Sequence, residues 1–202
     1  MATSKTDIAN AALIRIGSSR IMNIDDETSK GAVLCKVLYR DTLAEVARSG
    51  EWNSLKQRTT LARLSVNPAF GWSFQYQLPA DFVDLVQLNG TRCYRVPVDD
   101  WEIEGRLLLT NAEVAQVQYI ALLDDPTSYD PLFSDALTVL LASKMATAMR
   151  QDDAMASGFL TEYLRFKLPK ALMKDGNQQR RRQFNPAEGS RFIGARFNST
   201  RG

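Results

Sequence analysis

The apolar residues of this chain change their spacing twice along its length. They recur every three or four positions from residue 4 to about 49. From 57 to 123 they alternate with polar residues or gather in short β-branched and aromatic runs, and from about 131 the helical spacing returns. Consecutive strands with no helix between them exclude a parallel sheet built from βαβ units, and helices on both flanks exclude an all-β sandwich. The expected fold class is therefore α+β. Residues 1–56 and 124–174 form an antiparallel helical bundle scaffold, residues 57–123 an inserted antiparallel β module, and residues 175–202 an extended C-terminal arm.

Helix boundaries are written in the capping residues. Ser4 and Asp7 have the spacing of a capping box, Ile8, Ala11, Ala12 and Ile16 follow at helical intervals, and Gly17 supplies a stop. The clustered carboxylates of Asp25-Asp26-Glu27 suit the positive end of a second helix that runs to about Ser49, with Gly50 as its stop. Its main stripe is Ala32, Cys35, Tyr39, Leu43 and Val46. Leu34, Val37 and Leu38 widen that arc, so cover from a second side, by the rest of the fold or by a neighbouring subunit, is expected. Asp130-Pro131 opens a third helix of about 18 residues. Asp152-Asp153 opens a fourth, carrying Phe159, Leu160, Tyr163, Leu164 and Leu168, which Pro169 is expected to kink or end.

Between them, residues 59–64, 72–78 and 82–88 are β-prone and bounded by Pro68, Gly71, Pro79 and Gly90; shorter runs follow at 92–98, 101–103, 106–110 and 113–122. Asn89-Gly90 and Glu104-Gly105 read as tight hairpin turns. Trp52, Trp72, Phe74, Tyr76 and Trp101 are expected to fill the core of this module and its seam to the helices, with a subunit contact as the alternative.

Histidine is absent, which removes the usual neutral-pH base and every Ser-His or Cys-His nucleophile. Cys35 and Cys93 fit no redox or zinc spacing and read as packing residues. The pairs Asp25-Asp26, Asp99-Asp100, Asp124-Asp125 and Asp152-Asp153 lie at expected helix starts or turns, where capping accounts for them. Neither GxGxxG nor GxxxxGK[ST] occurs. No catalytic, metal or cofactor site is expected. No run of about 18 apolar residues is seen, so no membrane span is expected, and MATSKTDIAN lacks the regions of a secretion signal, which leaves the cytoplasm as the expected place of synthesis.

Charge is segregated. Residues 174–202 carry a net +5 in a chain of net +2, so the remainder is −3. Arg180, Arg181, Arg182, Arg191 and Arg196 are interleaved with Phe184, Phe192, Ile193 and Phe197 in an otherwise polar segment. Such a segment cannot offset its own ordering entropy and is expected to become ordered on a partner. Two functional readings stand beside a solvated charge run: docking into an acidic protein groove with the apolar residues as anchors, and attachment to nucleic acid phosphates. An acidic body favours the protein partner.

Several stretches also carry a resemblance. Asp7-Ile8-Ala9-Asn10-Ala11-Ala12-Leu13 with Ile16-Gly17, Ile24-Asp25-Asp26-Glu27-Thr28-Ser29, Tyr39-Arg40-Asp41-Thr42-Leu43 and Glu51-Trp52-Asn53 come first. Residues 58–61 and Gly71-Trp72 with Tyr76-Gln77-Leu78-Pro79-Ala80-Asp81-Phe82 follow. In that order they resemble the tail tubular protein A type of head-to-tail adaptor, the connector of short-tailed, T7-like phages. The likeness covers about the first 90 residues; beyond them only the layout agrees. It implies a non-enzymatic virion subunit, made in the host cytoplasm, forming a twelvefold homo-oligomeric ring. Such a ring joins the portal protein to nozzle subunits of the tubular protein B type and lets genomic DNA pass through its lumen without sequence-specific binding. No cofactor and no membrane are implied. On this likeness Arg180, Arg181, Arg182, Phe184, Arg191, Phe192, Ile193, Arg196 and Phe197 are the portal-binding residues. The alternative is a nucleic-acid-binding protein that uses the same Arg-rich tail.

Overall fold

The computed structural model describes residues 4–25, 28–93 and 101–178, and within them the chain is an α+β fold of helices and two antiparallel sheets. Helix α1 (Lys5–Arg15) starts as the sequence indicates: the Ser4 hydroxyl accepts from Asp7 N–H at 3.1 Å and the Asp7 carboxylate accepts from Ser4 N–H at 3.1 Å. It ends with Gly17 at φ +68°, Ser18 N–H bonding Leu13 C=O at 2.9 Å and Gly17 N–H bonding Ile14 C=O at 3.0 Å. That pair of bonds satisfies carbonyls the helix would otherwise leave bare.

Helix α2 (Lys30–Arg48) is capped by Ser29, not by the carboxylates before it, and no acidic residue stands in its first turn. Asp25 contributes its backbone carbonyl, which accepts from Lys36 at 3.1 Å. Asp26 and Glu27 lie outside the described residues. Gly50 does not end the helix by a left-handed turn. Its reason is steric: a Cβ there would collide with the Leu172 side chain.

Helix α3 (Pro131–Met145) is capped by Asp130 and continues through a π-helical turn, Ala146–Arg150, to Gln151 at φ +54°. Eleven of its fifteen residues are buried, because α1, α2, α4 (Asp153–Glu162) and α5 (Leu168–Asn177) all pack around it. The run Pro131–Arg150 is long and apolar enough to cross a membrane by length and composition, contrary to the expectation above, but most of its apolar window is buried inside this bundle. The fourth expected helix also runs further than Pro169. A π turn, Tyr163–Lys167, joins α4 to α5, with Leu168 N–H reaching Tyr163 C=O. The wider turn displaces the carbonyl that the Pro169 ring would strike, so the helix carries on to Asn177. The arm boundary placed at 175 thus falls inside α5.

Among the described residues the inserted module has seven strands: β1 (Lys56–Thr60), β2 (Phe74–Gln77), β3 (Phe82–Leu88), β4 (Thr91–Arg92), β5 (Trp101–Glu104), β6 (Leu107–Thr110) and β7 (Gln116–Ala121). They make two sheets, ordered β1-β7-β3-β4 and β2-β6-β5. The β3–β4 turn uses Asn89 at φ +49° and Gly90 at φ +83°, as the Asn-Gly pair demands. In the β5–β6 hairpin Glu104 is still paired with Leu107, so the two loop residues are Gly105 and Arg106, one position later than expected.

The larger sheet serves two cores: side chains alternate along β7, and a register shift between Leu85 and Gln87 in β3 brings Leu85 and Leu88, three residues apart, to one face. Leu85 and Leu88 of β3 and Val117 and Tyr119 of β7 join Leu61, Tyr76 and Leu108 between the sheets. Val86 and Ile120 point the other way, into the helical core, where Trp52 meets Phe133 edge-on with ring centroids 5.0 Å apart.

Candidate interaction surfaces

Every residue singled out for partner binding, Arg180, Arg181, Arg182, Phe184, Arg191, Phe192, Ile193, Arg196 and Phe197, lies outside the described residues. What is described is the root from which that segment departs. Ala171 and Leu172 of α5 pack on the helical core, and the next turn places Asp175 at 5% exposure. Its carboxylate oxygens accept from Asn53 N–H at 3.0 and 3.1 Å, and its backbone C=O accepts from Asn53 Nδ2–H at 2.7 Å. Burial pushes the Asp175 pKa up, Asn53 N–H and Lys56 oppose that, and Asp130 and Glu51 add to it. Sequence reasoning assigned Asp175 to the arm; the signal it passed over is the spacing of Leu168, Leu172 and Asp175 on one helical face.

A polar surface lies on the larger sheet, away from its inter-sheet core. The register places Arg58 beside Gln118, Gln118 beside Gln87 and Gln87 beside Arg92, and Thr60 beside Gln116. Arg58, Thr60, Gln87, Gln116 and Gln118 line an open groove of about 400 Å³. Arg92 leans toward Glu51 at 3.7 Å. Two amides between guanidiniums, with Gln116 beside Thr60, make a hydrogen-bonding surface that among the described residues carries no aromatic ring on which a base would stack.

Among the described residues, exposed apolar side chains group on α2 (Val33, Val37), in the loop before β2 (Val66, Phe70) and along α4, the π turn and α5 (Leu160, Leu164, Phe166, Met173), with Ile14, Met22 and Val114 exposed elsewhere. Val37 is thus the part of the wide α2 arc that the fold leaves uncovered, whereas Leu34 and Leu38 are half-buried. The expected aromatic cluster divides. Trp52 and Tyr76 are fully buried, Arg63 lies over the half-buried Phe74 ring at 3.9 Å, and Trp72 donates to Glu102 at 3.1 Å.

The resolved pKa shifts of Cys and Tyr residues all run upward. Burial raises Cys35 to about 11 and, with Asp84 adding to it, Cys93 to about 11, so neither thiol is a ready nucleophile. Cys35 packs against Met145 with Sγ 3.5 Å from Sδ. Asp125 and Asp152 cap helical turns, and Asp124 pairs with Lys5 at 2.5 Å. Asp26, Asp99 and Asp100 lie outside the described residues, among which no group of three metal-ligating side chains comes together. Arg15, Asp135, Glu162 and Lys167 form one ion network that ties α1, α3 and the π turn after α4 together. No protein-family model matches the chain, and no curated protein matches it.

Proposed function

We propose that this chain is a structural head-to-tail adaptor of a phage virion, one subunit of a twelvefold ring that joins the portal to the tail nozzle and lets DNA pass during ejection. The observation that carries the reading is the segregation of positive charge into a C-terminal segment interleaved with a few apolar residues, which departs from a fixed root at Asp175 and Asn53. Binding is the chemistry such a segment offers: Phe184, Phe192, Ile193 and Phe197 as anchors in apolar pockets, and the arginines beside acidic groups of the portal. The resemblance in the first 90 residues and the layout of a helical body with an inserted β module, which would present the nozzle platform, support it. No bond-making step is proposed for any residue. Deleting 179–202 is expected to leave a folded body that no longer joins portal rings in a pull-down; undiminished attachment overturns the reading.

A second reading, a nucleic-acid-binding protein, draws on Arg180-Arg181-Arg182 and on the Arg58 and Gln118 groove. It requires affinity for DNA that falls linearly with salt on logarithmic axes and needs no portal, which a mobility shift measures.

A further inference from the structure

Strand β1 is bonded along one side only. It ends the larger sheet in the order β1-β7-β3-β4, and Lys56–Thr60 pair with β7 in an unbroken antiparallel register that has no bulge. In such a ladder, directly opposed residues alternate between pairs that exchange both hydrogen bonds and pairs that exchange none. Leu61 N–H bonds Ala115 C=O at 2.9 Å, so in the same register Thr59 with Val117 and Gln57 with Tyr119 are the bonded pairs. The N–H and C=O groups of Arg58 and Thr60 therefore point away from β7. Among the described residues they meet no other backbone group, Thr60 C=O receiving only the Thr59 hydroxyl at 3.4 Å, and residues 57–60 are all exposed.

We infer that β1 takes an added strand from a partner protein, an extended polar segment that sets a carboxylate opposite Arg58. Backbone geometry selects a polypeptide. The outward groups recur at every second residue, about 6.8 Å apart, each a donor beside an acceptor; another peptide backbone answers both, whereas a phosphodiester has no donor to offer. Charge selects the side chains. Residues of the added strand opposite Arg58 and Thr60 would share the face on which Gln87, Gln116 and Gln118 line the groove, and Arg58 is the one charged residue of that lining. Among the described residues Arg58 has no ion-pair partner, since Glu51 is engaged by Lys56 at 3.4 Å and by Arg92 at 3.7 Å. A second copy of β1 in full overlap would set Arg58 against Arg58, and like charges directly opposite destabilise a strand pair. Proline and a bulge, the other common guards of an edge, are both lacking in β1. The inference does not depend on the adaptor reading, and failure of portal attachment leaves it standing.

Nuclear magnetic resonance titration of the full chain with a capped peptide of alternating Thr and Glu, about eight residues long, tests it. Saturable shifts are expected at the Arg58 and Thr60 amides and at the side-chain amides of Gln87, Gln116 and Gln118, with slowed hydrogen exchange at the two backbone sites. An alternating Thr-Lys peptide of the same length should bind at least about tenfold more weakly, and Arg58→Glu should reverse that preference. Thr60→Pro removes an N–H that β7 does not use, at an edge position where proline is tolerated. It should keep the Tm and weaken peptide binding about tenfold, whereas Thr60→Val, which keeps the N–H, should bind as wild type does. No saturable shift at millimolar peptide, shifts that spare Arg58 and Thr60, or an Arg58→Glu variant with the original preference overturns the inference. So does a Thr60→Val variant that loses as much as Thr60→Pro, or a thymidine oligonucleotide that occupies the same edge more tightly than the peptide.

Discussion

Asp175 and Asn53 hold one another at three points across 122 residues of sequence: the carboxylate takes Asn53 N–H with both oxygens, and the Asn53 amide donates to the Asp175 carbonyl at 2.7 Å. The last described helix is thereby fastened to the short 3₁₀ turn, Asn53–Leu55, that leads into β1. Asp175→Ala is expected to destabilise by about 1–3 kcal/mol, because it leaves a part-buried N–H without its acceptor. Asp175→Asn keeps an acceptor and should cost less. Since burial raises the folded pKa above the ordinary 3.8, the Asp175 contribution is fully present below that ordinary value and is lost as pH rises through the raised one. Denaturation from pH 3 to 7 should show this loss in the wild type and not in Asp175→Asn.

Trp52 gives a graded prediction. Its indole N–H donates to Val46 C=O at 2.7 Å, but that carbonyl also accepts from the Ser49 hydroxyl at 2.7 Å. Trp52→Phe therefore removes volume without orphaning the acceptor and should cost about 1–2 kcal/mol, whereas Trp52→Ala, which also deserts the Phe133 ring, should cost about 3–5 kcal/mol. Urea unfolding of both variants measures the gap.

Gly50 and Leu172 should behave as a coupled pair. Gly50→Ala pushes a methyl into Leu172 and is expected to cost about 1–3 kcal/mol as overpacking. In the Leu172→Ala background the same change should cost less, and a double-mutant cycle reads the coupling at about 0.5–3 kcal/mol.

The two chemistries of the arm should separate under salt. Replacing Arg180, Arg181 and Arg182 by Gln is expected to flatten the salt dependence of portal attachment. Replacing Phe192 and Phe197 by Ala should weaken attachment about tenfold or more with the salt dependence intact. Binding isotherms at two ionic strengths distinguish these outcomes.

Local chemistry made the scaffold legible. Ser4 with Asp7, Asp130 with Pro131, and Asp152 announce helix starts because their side chains satisfy nearby N–H groups, and period two marks β7, which is two-faced, whereas register shifts blur it in β3. What escaped the sequence depends on distance. Gly50 looks like a helix stop until Leu172 arrives from the far end of the chain, and Pro169 looks like a terminator unless the π turn before it is known. The split of the insert into two sheets was hidden for a similar reason. After β1 the chain crosses over, Leu61 N–H still bonding Ala115 C=O while Leu64 N–H already bonds Gln75 C=O, and nothing in residues 61–64 alone says where allegiance changes. The partner-binding residues were nominated by composition, and composition assigns a segment a task without giving it a geometry.

The insert is tethered by neighbouring strands, since β1 and β7 run side by side with Lys56 opposite Ile120. A segment whose two ends meet at one doorway behaves as a cartridge. Its outer loops can lengthen, shorten or be traded without moving the helices, provided that Val86 and Ile120 still plug the hole they fill beneath it. Variation among related chains should accordingly pile up beyond that doorway.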